Sequence, residues 1–311
     1  MLHIIYRSYG GENTKGRPAY YSKLLSMLSL VRAVEEYEGR AEIHWLNDGP
    51  MPAPRLTVME RSGEVVARDK LGNKGSLRTA LAMPEARGWS QDDVVWLAED
   101  DYLYLPSAMN DLNGATRAFP EASYFGLYAS IGHRPPEGGI QPEYAPVPTG
   151  WEDSEPILVH GRPWRRAVST CATFGAKVGA LTEDRKLFHA ALWTGAGWDQ
   201  TMCLLYQGYL PFSWSLITGH ARRARGLWLR SRGVAIGAIR AALSVYQAAR
   251  IQRGAPARLL VAPEPSLATH LELNHLALGT DWNQVAEDTR RWALTRKLAD
   301  GVPQLAQPFV A

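Results

Sequence analysis

Three acidic side chains stand in a row at Glu99-Asp100-Asp101, directly after the apolar run Val94-Val95-Trp96-Leu97-Ala98. Like charges so close raise one another's pKa, so such a run is costly unless a cation shares it. A hard divalent ion, Mn²⁺ or Mg²⁺, removes that cost and also binds substrate phosphates. The plainer alternative is an acidic turn, or caps for a helix that opens after Pro106. Cys171 and Cys203 are too far apart for a short metal motif and read as small core residues.

The carboxylates need a rigid element behind them. Residues 94–98 have the uncharged, valine-bearing pattern of a strand buried on both faces of a parallel sheet. Upstream, residues 2–6 form a strand that runs into Gly10-Gly11. Residues 19–36 carry Leu24, Met27, Leu28, Val31 and Val34 at helical spacing. A second strand at 42–46 is stopped by the turn Asn47-Asp48-Gly49-Pro50. Residues 56–67 are expected to hold one or two edge strands around Ser62-Gly63. A helix over 74–83 is opened by Gly72-Asn73-Lys74-Gly75-Ser76.

This β-α-β order predicts an α/β fold whose ligands lie beyond the carboxyl ends of the strands. Further strands are expected at 123–129, 166–174, 210–218 and 259–262, and helices at 182–192 and 233–252. The latter carries Ile236, Ile239, Leu243 and Tyr246 on one stripe. The Gly- and Pro-rich stretch 131–156 reads as a long loop, either a functional lid or disordered.

Glu99-Asp100-Asp101 resembles the metal motif of GT-A fold glycosyltransferases, in the Glu-Asp-Asp form of N-acetylglucosaminyltransferase I and its relatives. Three more stretches resemble that family in the same order. They are Trp45-Leu46-Asn47-Asp48-Gly49, the acidic turn that contacts the nucleoside; Leu71 to Arg78, with its Asn-x-Gly segment; and Gly197-Trp198-Asp199-Gln200 at the start of a helix. The resemblance covers residues 2–209. It implies the GT-A fold, a mostly parallel central sheet with helices on both faces.

By the same resemblance, Asp101 is the metal ligand and Glu99 and Asp100 hold the donor. Asp48 and Asn73 contact the nucleotide, with Lys74 or Arg78 near the diphosphate. Arg7 and Tyr9 stack on the base or bond to it, and Arg17 pairs with phosphate or with surface acids. Asp199 is the base towards the acceptor, with Trp198 beside it as an acceptor contact. A C-terminal histidine, His270 in preference to His220, completes the metal site. The family's second acid after Trp-Asp is Gln200 here, and the turn at Asp48 lacks the family's extra aspartate and serine. The implied reaction is transfer of a hexosyl or N-acetylhexosaminyl group from a nucleoside-diphosphate sugar, UDP by resemblance alone. A bound cation neutralises the departing diphosphate, and a base at Asp199 inverts the anomeric centre.

The 311 residues, 46% hydrophobic and 21% charged with net charge +3, suit one large globular domain. The expected division is a catalytic core over 1–210, with a nucleotide-sugar half (1–101) and an acceptor half (102–210). An Arg-rich extension follows over 211–311. No run of eighteen apolar residues occurs, and the expected setting is cytoplasmic. Between Gln200 and Glu264 there is no acidic residue but nine arginines, from Arg222 to Arg258. They fit a solvated helix face, an anionic membrane or a nucleic acid, the last making the chain a DNA-modifying glycosyltransferase. A sugar nucleotidyltransferase lacks support in Gly10-Gly11-Glu12-Asn13. A non-catalytic carbohydrate-binding protein has no use for an intact acidic run with Asp199.

Overall fold

In the computed structural model, which describes residues 1–12, 15–68, 70–131, 147–195, 197–223 and 227–296, the N-terminal apolar run forms β1 (Leu2–Ser8). It is followed by α1 (Lys23–Glu35), β2 (Ala41–Asp48), α2 (Ala53–Ser62), β3 (Glu64–Arg68), α3 (Gly72–Ala86) and β4 (Val94–Glu99). Next come β5 (Tyr102–Tyr104), α4 (Ala108–Ala118), β6 (Ala122–Phe125), β7 (Ala129–Ser130), β8 (Ile157–Val159), β9 (Arg162–Arg166), β10 (Ser169–Thr170) and β11 (Phe174–Lys177). The chain continues through α5 (Val178–Ala191), α6 (Trp198–Tyr206), α7 (Trp214–Arg223), α8 (Leu227–Gln252), β12 (Leu259–Pro263), β13 (Ala268–His270) and α9 (Trp282–Leu294).

Nine strands form one sheet in the order β3-β2-β1-β4-β11-β6-β12-β9-β8. The pairings β3-β2, β2-β1, β1-β4 and β6-β12 are parallel, while β11 and β9 run against their neighbours. Seven of the nine strands therefore point the same way, giving the expected mostly parallel sheet. Its central strands are buried on both faces because alternate side chains enter two cores. Ile4, Tyr6, Trp96 and Ala98 pack towards α1, α4 and α9. Ile5, Val95 and Leu97 pack towards α3, α5 and α6. Helices thus cover both faces, the doubly covered arrangement of an α/β sheet.

Several expected elements take another form. Residues 56–62 belong to α2 and not to an edge strand, since Pro52 and Pro54 open a helix that buries Val58 and Met59. Residues 214–218 lie in the helix α7 where a strand was expected. There Trp214 is 79% exposed and Leu216 is exposed, and α7 packs on α8 without entering the sheet. The expected strand at 123–129 breaks at Gly126. The one at 166–174 resolves into the ends of β9, β10 and β11. Most of the 131–156 loop lies outside the described residues.

From the stretch read as an extension, β12 fills the middle of the sheet between β6 and β9. Leu260, Val261 and Ala262 are all fully buried there. β13 then pairs with β5, next to the acidic run. No helix among the described residues is long and apolar enough to cross a membrane.

Candidate active site

Parallel register carries the chemistry to one edge of the sheet. Arg7 near the end of β1 is the partner of Glu99 at the end of β4, and Ser8 is the partner of Asn47 next to Asp48. Beyond these ends lies a cavity of about 550 Å³. Its lining includes Arg7, Tyr9, Asp48, Asn73, Glu99, Asp100, Asp101, Trp198, Asp199 and His270, so it gathers most of the site residues read from the sequence. Lys74 and Arg78 lie outside it. Lys74 Nζ donates to the Leu192 carbonyl, and both cations sit 5.1 Å from the ring of Trp193. His220 is in α7, and its side chain lies outside the described residues.

Each acid of the run has a different partner. Asp100 Oδ2 accepts from Lys23 Nζ at 2.8 Å, Ser8 Oγ at 2.9 Å and the Tyr9 amide at 3.2 Å. Burial pushes its pKa up, and Lys23, itself only 1% exposed, opposes that rise. Asp101 Oδ2 accepts from Arg17 Nη2 at 3.0 Å and lies 3.1 Å from His270 Nε2. Burial works to raise the Asp101 pKa, but His270 and Arg17 outweigh it and hold the carboxyl well below the usual range. Arg17 also donates to the Leu271 carbonyl at 2.6 Å, which ties the loop after β1 to the end of β13. Glu99 approaches Arg7 Nη2 at 3.5 Å. Burial raises its pKa against the pull of Arg7.

His270 reaches the run because β13 pairs antiparallel with β5, setting His270 opposite Tyr102 with the two rings stacked at 5.0 Å. Asp101 Oδ2 and His270 Nε2, 3.1 Å apart, fit a cation in that one carboxylate oxygen and one imidazole nitrogen would hold it together. The remaining positions would be left to phosphate oxygens and water, as suits Mg²⁺ or Mn²⁺. Arg17 shares the same carboxylate oxygen and would share it with the ion.

At the end of β2, Asp48 accepts from the amides of Leu71 and Gly72, the latter at 2.8 Å, and so fixes the start of α3. Arg7 donates to Asn73 Oδ1 through Nη2. Its Nη1 is buried with no hydrogen-bond partner among the described residues, although Arg7 lines the cavity. A buried donor in that state is left short of an acceptor.

Across the cavity, Gly197 adopts φ 74°, a left-handed conformation that turns the chain into α6 and sets Asp199 in its first turn. Asp199 Oδ1 accepts from the Gln200 amide at 2.9 Å, and burial raises its pKa despite that bond. Cys171 and Ala172 also line this side.

Lys23 and Ser8 were not read from the sequence as site residues. The available signal was a lysine opening the otherwise uncharged run from Lys23 to Val31, which the fold buries throughout. The arginine-rich stretch is partly spent inside the fold. Arg240 donates to the Thr194 and Leu216 carbonyls, Arg250 to the Leu205 carbonyl, and Arg258 pairs with Glu183 and Asp184. Arg222, Arg223, Arg225 and Arg230 have side chains outside the described residues.

No protein-family model and no curated protein matches the chain. Among solved structures, S. aureus TarS aligns with a TM-score of 0.38 at 12% identity, over 68% of this chain and 33% of that one. The chain thus spans about a third of the length of that TarS chain. TarS 1-349 in complex with UDP-GlcNAc aligns with a TM-score of 0.37 at 12% identity, covering 68% of this chain and 53% of that one. 4-Diphosphocytidyl-2C-methyl-D-erythritol synthase gives 0.35 at 11% identity, over 60% and 78%. Likenesses this distant carry no weight in assigning a reaction, which rests on the site itself.

Proposed function

We propose that the chain is a metal-dependent glycosyltransferase. It moves a hexosyl or N-acetylhexosaminyl group from a nucleoside diphosphate, UDP as the first choice, to an acceptor hydroxyl with inversion. The observation that carries this reading is the meeting of Glu99, Asp100, Asp101 and His270 with Asp199 and Trp198 around one cavity at the carboxyl ends of parallel strands.

Asp101 and His270 would hold Mn²⁺ or Mg²⁺, which when bound supplies Lewis-acid neutralisation of the diphosphate. Arg7 offers its unpartnered Nη1 to the nucleotide, while Asn73 and Glu99 keep its guanidinium in place. Asp100 anchors the loop after β1 through Ser8, Tyr9 and Lys23, so the donor meets a rigid wall. Asp199 takes the proton of the acceptor hydroxyl. Its burial makes it a stronger base than an exposed aspartate. Trp198 presents an aromatic surface next to that base for the acceptor sugar or ring.

The test is release of UDP from a panel of UDP-sugars with Mn²⁺, alone and with candidate acceptors, for the wild type and Asp199→Asn. The expected result is turnover of at least one donor that falls about 10²- to 10⁴-fold in the variant. Turnover untouched by Asp199→Asn contradicts the assignment of the base. No turnover of any donor, with no nucleotide bound, contradicts the reaction class.

A further inference from the structure

At the other end of the strands that carry the donor cavity, His3 on β1 and Glu42 and His44 on β2 share one face of the sheet, with His3 the register partner of Glu42. Four residues of strand, about 13 Å, separate His3 from Arg7. Both imidazoles are buried, 3% and 4% exposed. His3 Nε2 faces Asp93 Oδ2 at 3.2 Å, and His44 Nδ1 faces Glu64 Oε2 at 2.9 Å. Asp93 is in turn held by the Met1 amino group at 2.7 Å, and Glu64 by Arg87 at 2.6 Å.

Those carboxylates take the N–H of each ring and leave the opposite nitrogen as a lone pair. The nitrogens so left, His3 Nδ1 and His44 Nε2, are both buried without a hydrogen-bond partner among the described residues. Each points towards Glu42 Oε2, at 3.8 and 3.9 Å. Three acceptors therefore converge with no donor among them, an arrangement that repels itself unless a cation fills it. All three candidate ligand atoms lie within 4.8 Å of one another. The Trp89 ring covers His3 at 3.8 Å and 4° between planes, shielding the position from water on that side.

We propose that His3, Glu42 and His44 form a site for one divalent transition-metal ion of the zinc class, separate from the donor site. Two imidazoles and a carboxylate are a borderline donor set that favours zinc over magnesium or calcium. Asp93 and Glu64 each hold the other ring nitrogen, which would orient a metal-bound histidine and set its tautomer. Bonds of about 2.1 Å at tetrahedral angles put ligand atoms about 3.4 Å apart, so the two contacts to Glu42, at 3.8 and 3.9 Å, close by roughly half an ångström. Glu42, with a side chain 53% exposed, is free to supply that movement. Joining β1 to β2 where they enter the sheet, the ion would clamp the two strands that end at Arg7 and Asp48.

The test uses the full chain without an affinity tag, stripped by chelator and titrated with Zn²⁺ by calorimetry and with Co²⁺ by visible absorption. The expected result is one Zn²⁺ per chain, tetrahedral Co²⁺ bands and a melting temperature raised by Zn²⁺. Glu64→Gln weakens binding about tenfold or more. His44→Gln and Glu42→Gln weaken it further, and Glu42→Gln keeps its fold because that side chain is exposed. Asp101→Asn leaves this Zn²⁺ site unchanged, which separates it from the donor cavity. Absence of Zn²⁺ binding tighter than about 10 µM overturns the proposal. So does a site lost in Asp101→Asn and kept in Glu42→Gln.

Discussion

Lys23 and Asp100 form an ion pair that is almost wholly removed from water, 1% and 12% exposed at the side chains. Removing one partner strands the other charge. Lys23→Met should therefore cost about 3–5 kcal/mol in urea unfolding, and adding Asp100→Asn should recover part of that. Asp199 carries the opposite kind of strain, a carboxylate whose burial raises its pKa. A group with a raised folded-state pKa contributes stability below its unfolded value near 4, and that contribution is lost as pH rises through the folded value. Asp199→Asn should therefore melt higher than the wild type at pH 7, with the gap closing in acid. Its activity should move the other way. Wild-type turnover falls as pH drops through the raised pKa, and the variant loses that limb of the profile. The acids at 99–101 and 199 were legible because the first stand at the end of an apolar strand and the last at the start of a helix. Lys23 and the His3–His44 pair were not, because their partners are 77 and 41 residues away and only the sheet brings them together.

The strands of the first half were readable from apolar runs, since β1, β2 and β4 are buried on both sides and their sequences show it. Elements outside the sheet were harder to read. In α2 the apolar positions Val58 and Met59 are adjacent, and in α7 the exposed Trp214 and Leu216 imitate a strand's alternation. The α7–α8 contact offers a direct check. A Cβ on Gly237 would stand 2.7 Å from the Ile217 carbonyl oxygen, closer than side chains tolerate. Gly237→Ala gains about 1 kcal/mol of helix propensity yet must push α7 off α8, at a cost of about 1–3 kcal/mol. We expect no net gain in stability, and faster hydrogen exchange across α7. Unchanged exchange there with a higher melting temperature would contradict this packing.

Across the whole molecule, the sheet joins the two ends of the chain. β12 arrives from residues 259–263 into the centre, and β13 delivers His270 to Asp101. A chain cut after residue 210 loses a central strand and should fail to unfold cooperatively in urea. A sharp two-state transition in that fragment would show that the first 210 residues suffice. The sequence placed His270 near the site only through family resemblance. Its route, an antiparallel pairing of three residues with Tyr102–Tyr104, has no local signal. The central claim is that the acidic edge of this sheet binds a nucleoside diphosphate through a cation, and calorimetry of UDP with and without Mn²⁺ on wild type and Asp101→Asn tests it most directly. The account predicts binding that needs Mn²⁺ in the wild type and is lost in the variant. Binding indifferent to Mn²⁺ and to Asp101, or none with UDP, GDP or CDP, would contradict it.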